Sequence, residues 1–116
     1  MNSDTLSGNC IDSDVRAVRD ALDVLNGKWK LQILMAVSNG AMRFRKIAAE
    51  VPGITDRMLS KELKDLEMNR LIERAVLPTF PPTVEYSLTR HGHTLDKVIA
   101  ELSAWGVLHR KEVFGR

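Results

Sequence analysis

Residues 53–74, "GITDRMLSKELKDLEMNRLIER", decide how this chain folds. Leu59, Leu63 and Leu66 recur at helical spacing, so they form one apolar stripe. Thr55 is suited to cap the first turn, with Ile54 before it and Leu59 at the fourth helical position as a hydrophobic staple. Asn69 is expected to take the left-handed conformation that ends the helix. The segment therefore predicts a helix over 55–68, running into a strand "LIERAVL" at 71–77. With the leucines facing a core, Arg57, Ser60, Lys61 and Lys64 must point outward.

Upstream, Val15, Val18, Leu22 and Leu25 repeat at helical spacing and predict a helix over 14–26, ended by Gly27. "KWKLQILMAVSNG" at 28–40 reads as a second helix, apolar nearly all round and central, closed by Gly40. Arg43 and Phe44 are expected in a minimal strand or turn. "RKIAAEV" at 45–51 is a short helix stopped by Pro52 and Gly53. Downstream, "TVEYSL" at 83–88 alternates as a second strand. The proline-rich "PTFPP" at 78–82 makes the tip between the strands. A last helix over 90–112 carries Leu95, Val98, Ile99, Leu102 and Trp105 on one face. Residues 1–12 are polar and acidic and read as a flexible tail.

Three helices, a Pro-Gly turn, a further helix and a hairpin give an α+β class, mainly α, with winged helix-turn-helix architecture in a single domain over 1–116. In that architecture the helix at 55–68 enters a DNA major groove. Thr55, Asp56 and Met58 then lie at the end that reaches base edges. Arg57 is able to pair bidentately with a guanine, while Ser60, Lys61 and Lys64 suit phosphates or single contacts. Arg74 and Thr83 flank the wing at 78–83, which suits a minor groove or the backbone.

Composition is consistent with one ordinary globular domain: 116 residues, 44% hydrophobic and 28% charged. The formal charge is only +2, but residues 28–64 carry eight basic and three acidic groups, against two and five in residues 1–27. The single cysteine, Cys10, excludes an internal disulfide and a multi-cysteine metal site, and suits a reducing, cytoplasmic setting. No stretch reads as a membrane span. There is no phosphate loop, nucleophile elbow or apolar carboxylate pair, and His91 and His93 point to different faces of a helix, so neither an enzyme nor a metal or cofactor site is expected. A winged helix used only for protein contacts is the alternative, but its outer face would be apolar or acidic.

The motifs "LNGKWKLQIL" (25–34), "RFRKIAAEVPGITDRMLSKELKDLE" (43–67), "PPTVEYSLTRHGHTL" (81–95) and "AW" (104–105) resemble the HxlR-type winged helix-turn-helix regulators. The resemblance implies a bacterial, cytoplasmic regulator that binds double-stranded DNA as a homodimer joined through its first and last helices. By motif it places Arg43, Thr55, Arg57, Met58, Ser60, Lys61 and Lys64 in the DNA-reading region, and Thr79 through Thr83, with Pro81 and Pro82, at the wing.

Val15, Val18, Leu22 and Leu25 on the first helix, and Val98, Leu102, Trp105 and Leu108 on the last, exceed what one small core covers, which suits a two-fold interface. Two departures from the family stand out. The cysteine many members carry about thirteen residues before the tryptophan is Arg16 here, and Arg70 stands where glycine is common. No effector can be named, although Trp29, Met35, Phe80, Tyr86 and Trp105 are candidates to line a ligand pocket.

Overall fold

The computed structural model describes residues 8–116, with side chains described from Asp12 onward. The elements are α1 (Gly8–Val24), α2 (Lys30–Ser38), α3 (Phe44–Glu50), α4 (Asp56–Met68), β1 (Ile72–Leu77), β2 (Thr83–Leu88), α5 (Arg90–His93) and α6 (Asp96–Phe114). The strands pair antiparallel, from Ile72 opposite Leu88 at the inner end to Leu77 opposite Thr83 at the tip. The fold is a winged helix-turn-helix, as the order of elements predicts.

The core lies where α2, α3, α4 and the inner end of the hairpin meet. Ile33, Leu34, Ile47, Val51, Leu59, Leu63, Leu66 and Ile72 are almost wholly excluded from solvent. The apolar helix α2 supplies the centre, but it is not apolar all round. Met35 is exposed, and Lys30 is buried. The Lys30 ammonium reaches the buried Glu62 carboxylate on α4, Asp65 at 3.5 Å and the Asn26 side-chain oxygen at 3.3 Å. Glu62 thus turns inward, as its place between Leu59 and Leu66 allows, and its cation comes from a distant helix that sequence spacing does not reveal.

The end of α4 corrects a second expectation. Asn69 keeps a negative φ, and Arg70 takes the left-handed conformation with φ 61°. Leu71 N–H bonds the Leu66 carbonyl and Arg70 N–H that of Glu67, which is a Schellman closure with Arg70 at the left-handed position. Helix α2 ends in the same way through Asn39 and Gly40, whose φ is 104°. Arginine carries a Cβ penalty there that glycine lacks. Arg70→Gly is therefore expected to raise unfolding stability by about 0.5–1 kcal/mol, the relief of strain being partly offset by a freer unfolded chain. Urea midpoints at unchanged slope would measure it, and a loss of stability would contradict it.

The last helix also differs from expectation. It is split, because Thr94 and Leu95 N–H groups bond His91 and Gly92 carbonyls three residues back, and α-helical bonding resumes from Leu95 to Ile99. The tighter turn brings Leu95 and Ile99 against the core. Thr89 ties this corner together. Its hydroxyl donates to the Arg70 carbonyl at 2.6 Å and accepts from Gly92 N–H at 2.8 Å. Gly92 lies so close to β1 that a Cβ there would sit 2.1 Å from the Leu71 carbonyl oxygen.

Of the tail expected over 1–12, residues 1–7 lie outside the described residues, and 8–12 are already helical in α1. Cys10 is thus in the first turn of a helix.

Candidate nucleic-acid interface

Helix α4 is presented by its caps and its buried stripe. The Thr55 hydroxyl accepts from Met58 N–H at 3.2 Å, so the expected N-cap is formed. Ile54 packs on the core beside the fully buried Leu59. With Leu59, Leu63 and Leu66 inward, Arg57, Lys61 and Lys64 fall in an arc of ~60° on the opposite side at 100° per residue, with Ser60 at its flank. All four are exposed. Met58 is 39% exposed, and Met68, which no motif marks, continues the outer face at 81%.

Asp56 opens α4, at the N-terminal end expected of it. Its carboxylate pairs with the Arg45 guanidinium at 2.5 Å across the turn between α3 and α4, and Arg45 in turn lies over the Phe44 ring. Both groups of this pair are largely solvated, so it orients more than it stabilises. Arg45 is a further candidate that sequence reasoning misses, although it sits in the basic run "RFRK" at 43–46.

Arg43 is exposed just before α3, and its Nε lies 3.4 Å from the Glu85 carboxylate on β2. One backbone bond reinforces this link, Tyr86 N–H to the Met42 carbonyl at 2.8 Å. The expected minimal strand at 43–44 is thus a single tie to the wing, and Phe44 already belongs to α3. The tie has an electrostatic effect: it occupies the one acidic side chain of β2 with a cation.

Between α4 and the hairpin runs a groove of about 420 Å³, lined by Phe44, Ser60, Leu63, Lys64, Glu67, Arg74 and Tyr86. The structure therefore brings Ser60 and Lys64 together with Arg74 of the wing. At the tip, Thr79, Pro81 and Pro82 are exposed and Thr83 is half-buried. The Thr79 hydroxyl donates to the Pro81 carbonyl at 2.8 Å, so its 2.6 Å contact with the Thr83 hydroxyl has Thr83 as donor.

The expected dimer residues divide. Leu25 packs against the core. Val15, Val18, Leu22, Val98, Leu102, Trp105 and Leu108 remain 44–64% exposed, and α6 has no buried residue. Trp105 stacks on His109 with ring centroids 4.8 Å apart. The radius of gyration is 17.3 Å, against ~13 Å for a compact chain of this length, because the terminal helices extend away from the core.

The five side chains considered for a ligand pocket do not converge. Trp29 is core, Phe80 is at the wing tip, Trp105 is on α6, and Met35 and Tyr86 face separate cavities. An apolar cavity of about 250 Å³ lies elsewhere, between α1, Leu71 and His91 to Leu95. Among the described residues, no group of three or more His, Cys, Asp or Glu is placed to hold a metal, and no helix is long and apolar enough to cross a membrane.

Residues 24–113 match the family described as HxlR-like helix-turn-helix. The chain is 37% identical over 99 residues to the HTH-type transcriptional regulator YtcD of Bacillus subtilis, covering 85% of this chain and 79% of that protein. It is 40% identical over 96 residues to YdeP of the same organism, an HTH-type transcriptional regulator, covering 83% and 75%. Among solved structures, the redox regulator HypR in its reduced form superposes with a TM-score of 0.79 at 36% identity, covering 86% of this chain and 99% of HypR.

Proposed function

Because this chain belongs to the HxlR-like helix-turn-helix family, whose relatives above are transcriptional regulators, we propose that it is a cytoplasmic regulator that binds an inverted-repeat DNA operator as a homodimer. Helix α4 lies in the major groove, and the wing at 78–83 lies on the adjacent minor groove or backbone. The observation that carries this reading is the solvated arc of Arg57, Lys61 and Lys64 opposite a fully buried leucine stripe. The arc is aligned for phosphates and base edges, and an outer face suited to protein contacts would be apolar or acidic. The exposed stripes of α1 and α6 are the complementary support for a two-fold assembly, which covers the same patch on both copies. Such a dimer sets its two α4 helices about one DNA turn apart, ~34–36 Å.

Quantitative binding to a duplex selected from a random library tests the reading. Arg57→Ala is expected to weaken specific binding by ~1–3 kcal/mol and to relax preference at one base position. Lys64→Ala is expected to weaken specific and non-specific binding together and to flatten the salt dependence by about one unit. Trp105→Asp is expected to sediment as a monomer and to lose the advantage of the second half-site. Binding by all three variants that matches the parent would refute the proposal.

A further inference from the structure

Phe80 is the most exposed large apolar side chain among the described residues, at 103% of its reference area, and it sits at the summit of the wing. Nothing in the core uses it. The loop that holds it is stiff: Pro78, Pro81 and Pro82 fix their own φ angles, Thr79 N–H bonds the Leu77 carbonyl at 2.8 Å, and the Thr79 hydroxyl bridges to Pro81 and Thr83. A ring held this way loses little conformational freedom on insertion into a partner.

The surroundings identify the partner. Residues 77–83, "LPTFPPT", carry no ionisable group, so no charge on the tip is repelled by phosphate or has to be desolvated on entering a groove. The same hairpin borders the groove that joins Ser60 and Lys64 to Arg74, so the tip continues the basic interface. Glu85, the one carboxylate on β2, is paired with Arg43. A protein partner would need roughly 800 Å² on this side, and a single aromatic side chain offers on the order of 200 Å². An isolated Phe side chain on a narrow projection is better suited to wedging between base steps from the minor groove.

We propose that Phe80 is such a wedge, entering the minor groove beside the α4 site, partly unstacking one base step and bending the operator. This rests on the reading of α4 as the DNA-recognition helix. Pyrimidine–purine steps unstack most easily, so the operator carries one beneath each wing.

The test uses the full chain and the duplex recovered by selection, with bend angle from end-to-end energy transfer and unstacking from 2-aminopurine fluorescence scanned through the wing position. The parent is expected to bend the duplex by ~20–90° with a local rise in fluorescence. Phe80→Ala is expected to lose both signals and to bind roughly tenfold more weakly, whereas Phe80→Leu, still an apolar wedge, keeps most of the bend. Lys64→Ala is expected to weaken binding without changing the bend of the bound fraction. A straight, stacked duplex under the parent overturns the wedge, as does a Phe80→Ala complex as bent as the parent's. In both cases binding that still depends on Lys64 leaves the reading of α4 standing. A selection that enriches no duplex overturns both.

Discussion

Lys30→Ala is expected to lower unfolding stability by about 3–5 kcal/mol, because it leaves the Glu62 carboxylate buried and without its cation. Lys30 is 5% and Glu62 9% exposed, so water cannot replace the lost partner without opening the contact between α2 and α4. Two features separate this from an ordinary loss of side-chain volume. Glu62→Ala strands the ammonium with only the more exposed Asp65 carboxylate at 3.5 Å and Asn26 at 3.3 Å, so its cost is of the same kind. The double replacement Lys30→Met with Glu62→Leu removes both charges and is expected to recover most of the loss, since a buried pair is commonly no more stable than a well-packed apolar substitute. Urea unfolding of the parent and the three variants at one fixed concentration measures these differences. A single-variant loss below ~1 kcal/mol, the range of a surface pair, would show that the pair is solvated.

Gly92→Ala is expected to cost about 3 kcal/mol or more, at the upper end of overpacking, since backbone rather than a flexible side chain opposes the added methyl. The new Cβ would lie 2.1 Å from the Leu71 oxygen and 3.1 Å from its carbonyl carbon. Relief requires moving α5 from β1, which pulls on the Thr89 bonds to Arg70, Leu71 and Gly92. Thermal unfolding at fixed protein concentration checks this. A midpoint unchanged from the parent's would mean the corner yields freely.

What is legible in the sequence is local. The Thr55 cap, the leucine stripe of α4 and the alternating second strand each have their determinants within a few residues, and each stands where the pattern puts it. What escapes depends on distant chain. Lys30 and Glu62 are 32 residues apart. Each stands at a buried-face position of its own helix, beside Ile33, Leu34 and Val37 or Leu59, Leu63 and Leu66, but only the fold shows that the two charges meet. Gly92 is explained only by the carbonyl of Leu71. Arg70 escapes because asparagine tolerates the left-handed conformation, which puts the expected turn one residue early, although Asn39–Gly40 closes α2 in the same register. Phe80 resembles a pocket residue by type alone, and its exposure follows from the height of the hairpin. The outward positions of Arg57, Ser60, Lys61 and Lys64 are readable because the buried leucines leave no alternative.

The corner built by Thr89 and Gly92 has a mechanical consequence. It joins the end of α4 to α6, which at 1.5 Å per residue is a rod of ~28 Å. In an assembly joined through α6, a swing of only ~5° at this corner displaces the far end of that rod by ~2.5 Å. In the proposed dimer the distance between the two α4 helices is then governed by the stiffness of one elbow, where a hydroxyl clamps two carbonyls and a missing methyl lets the backbones touch. Under that proposal a stiff elbow admits operators of one spacing, and a loosened one tolerates several.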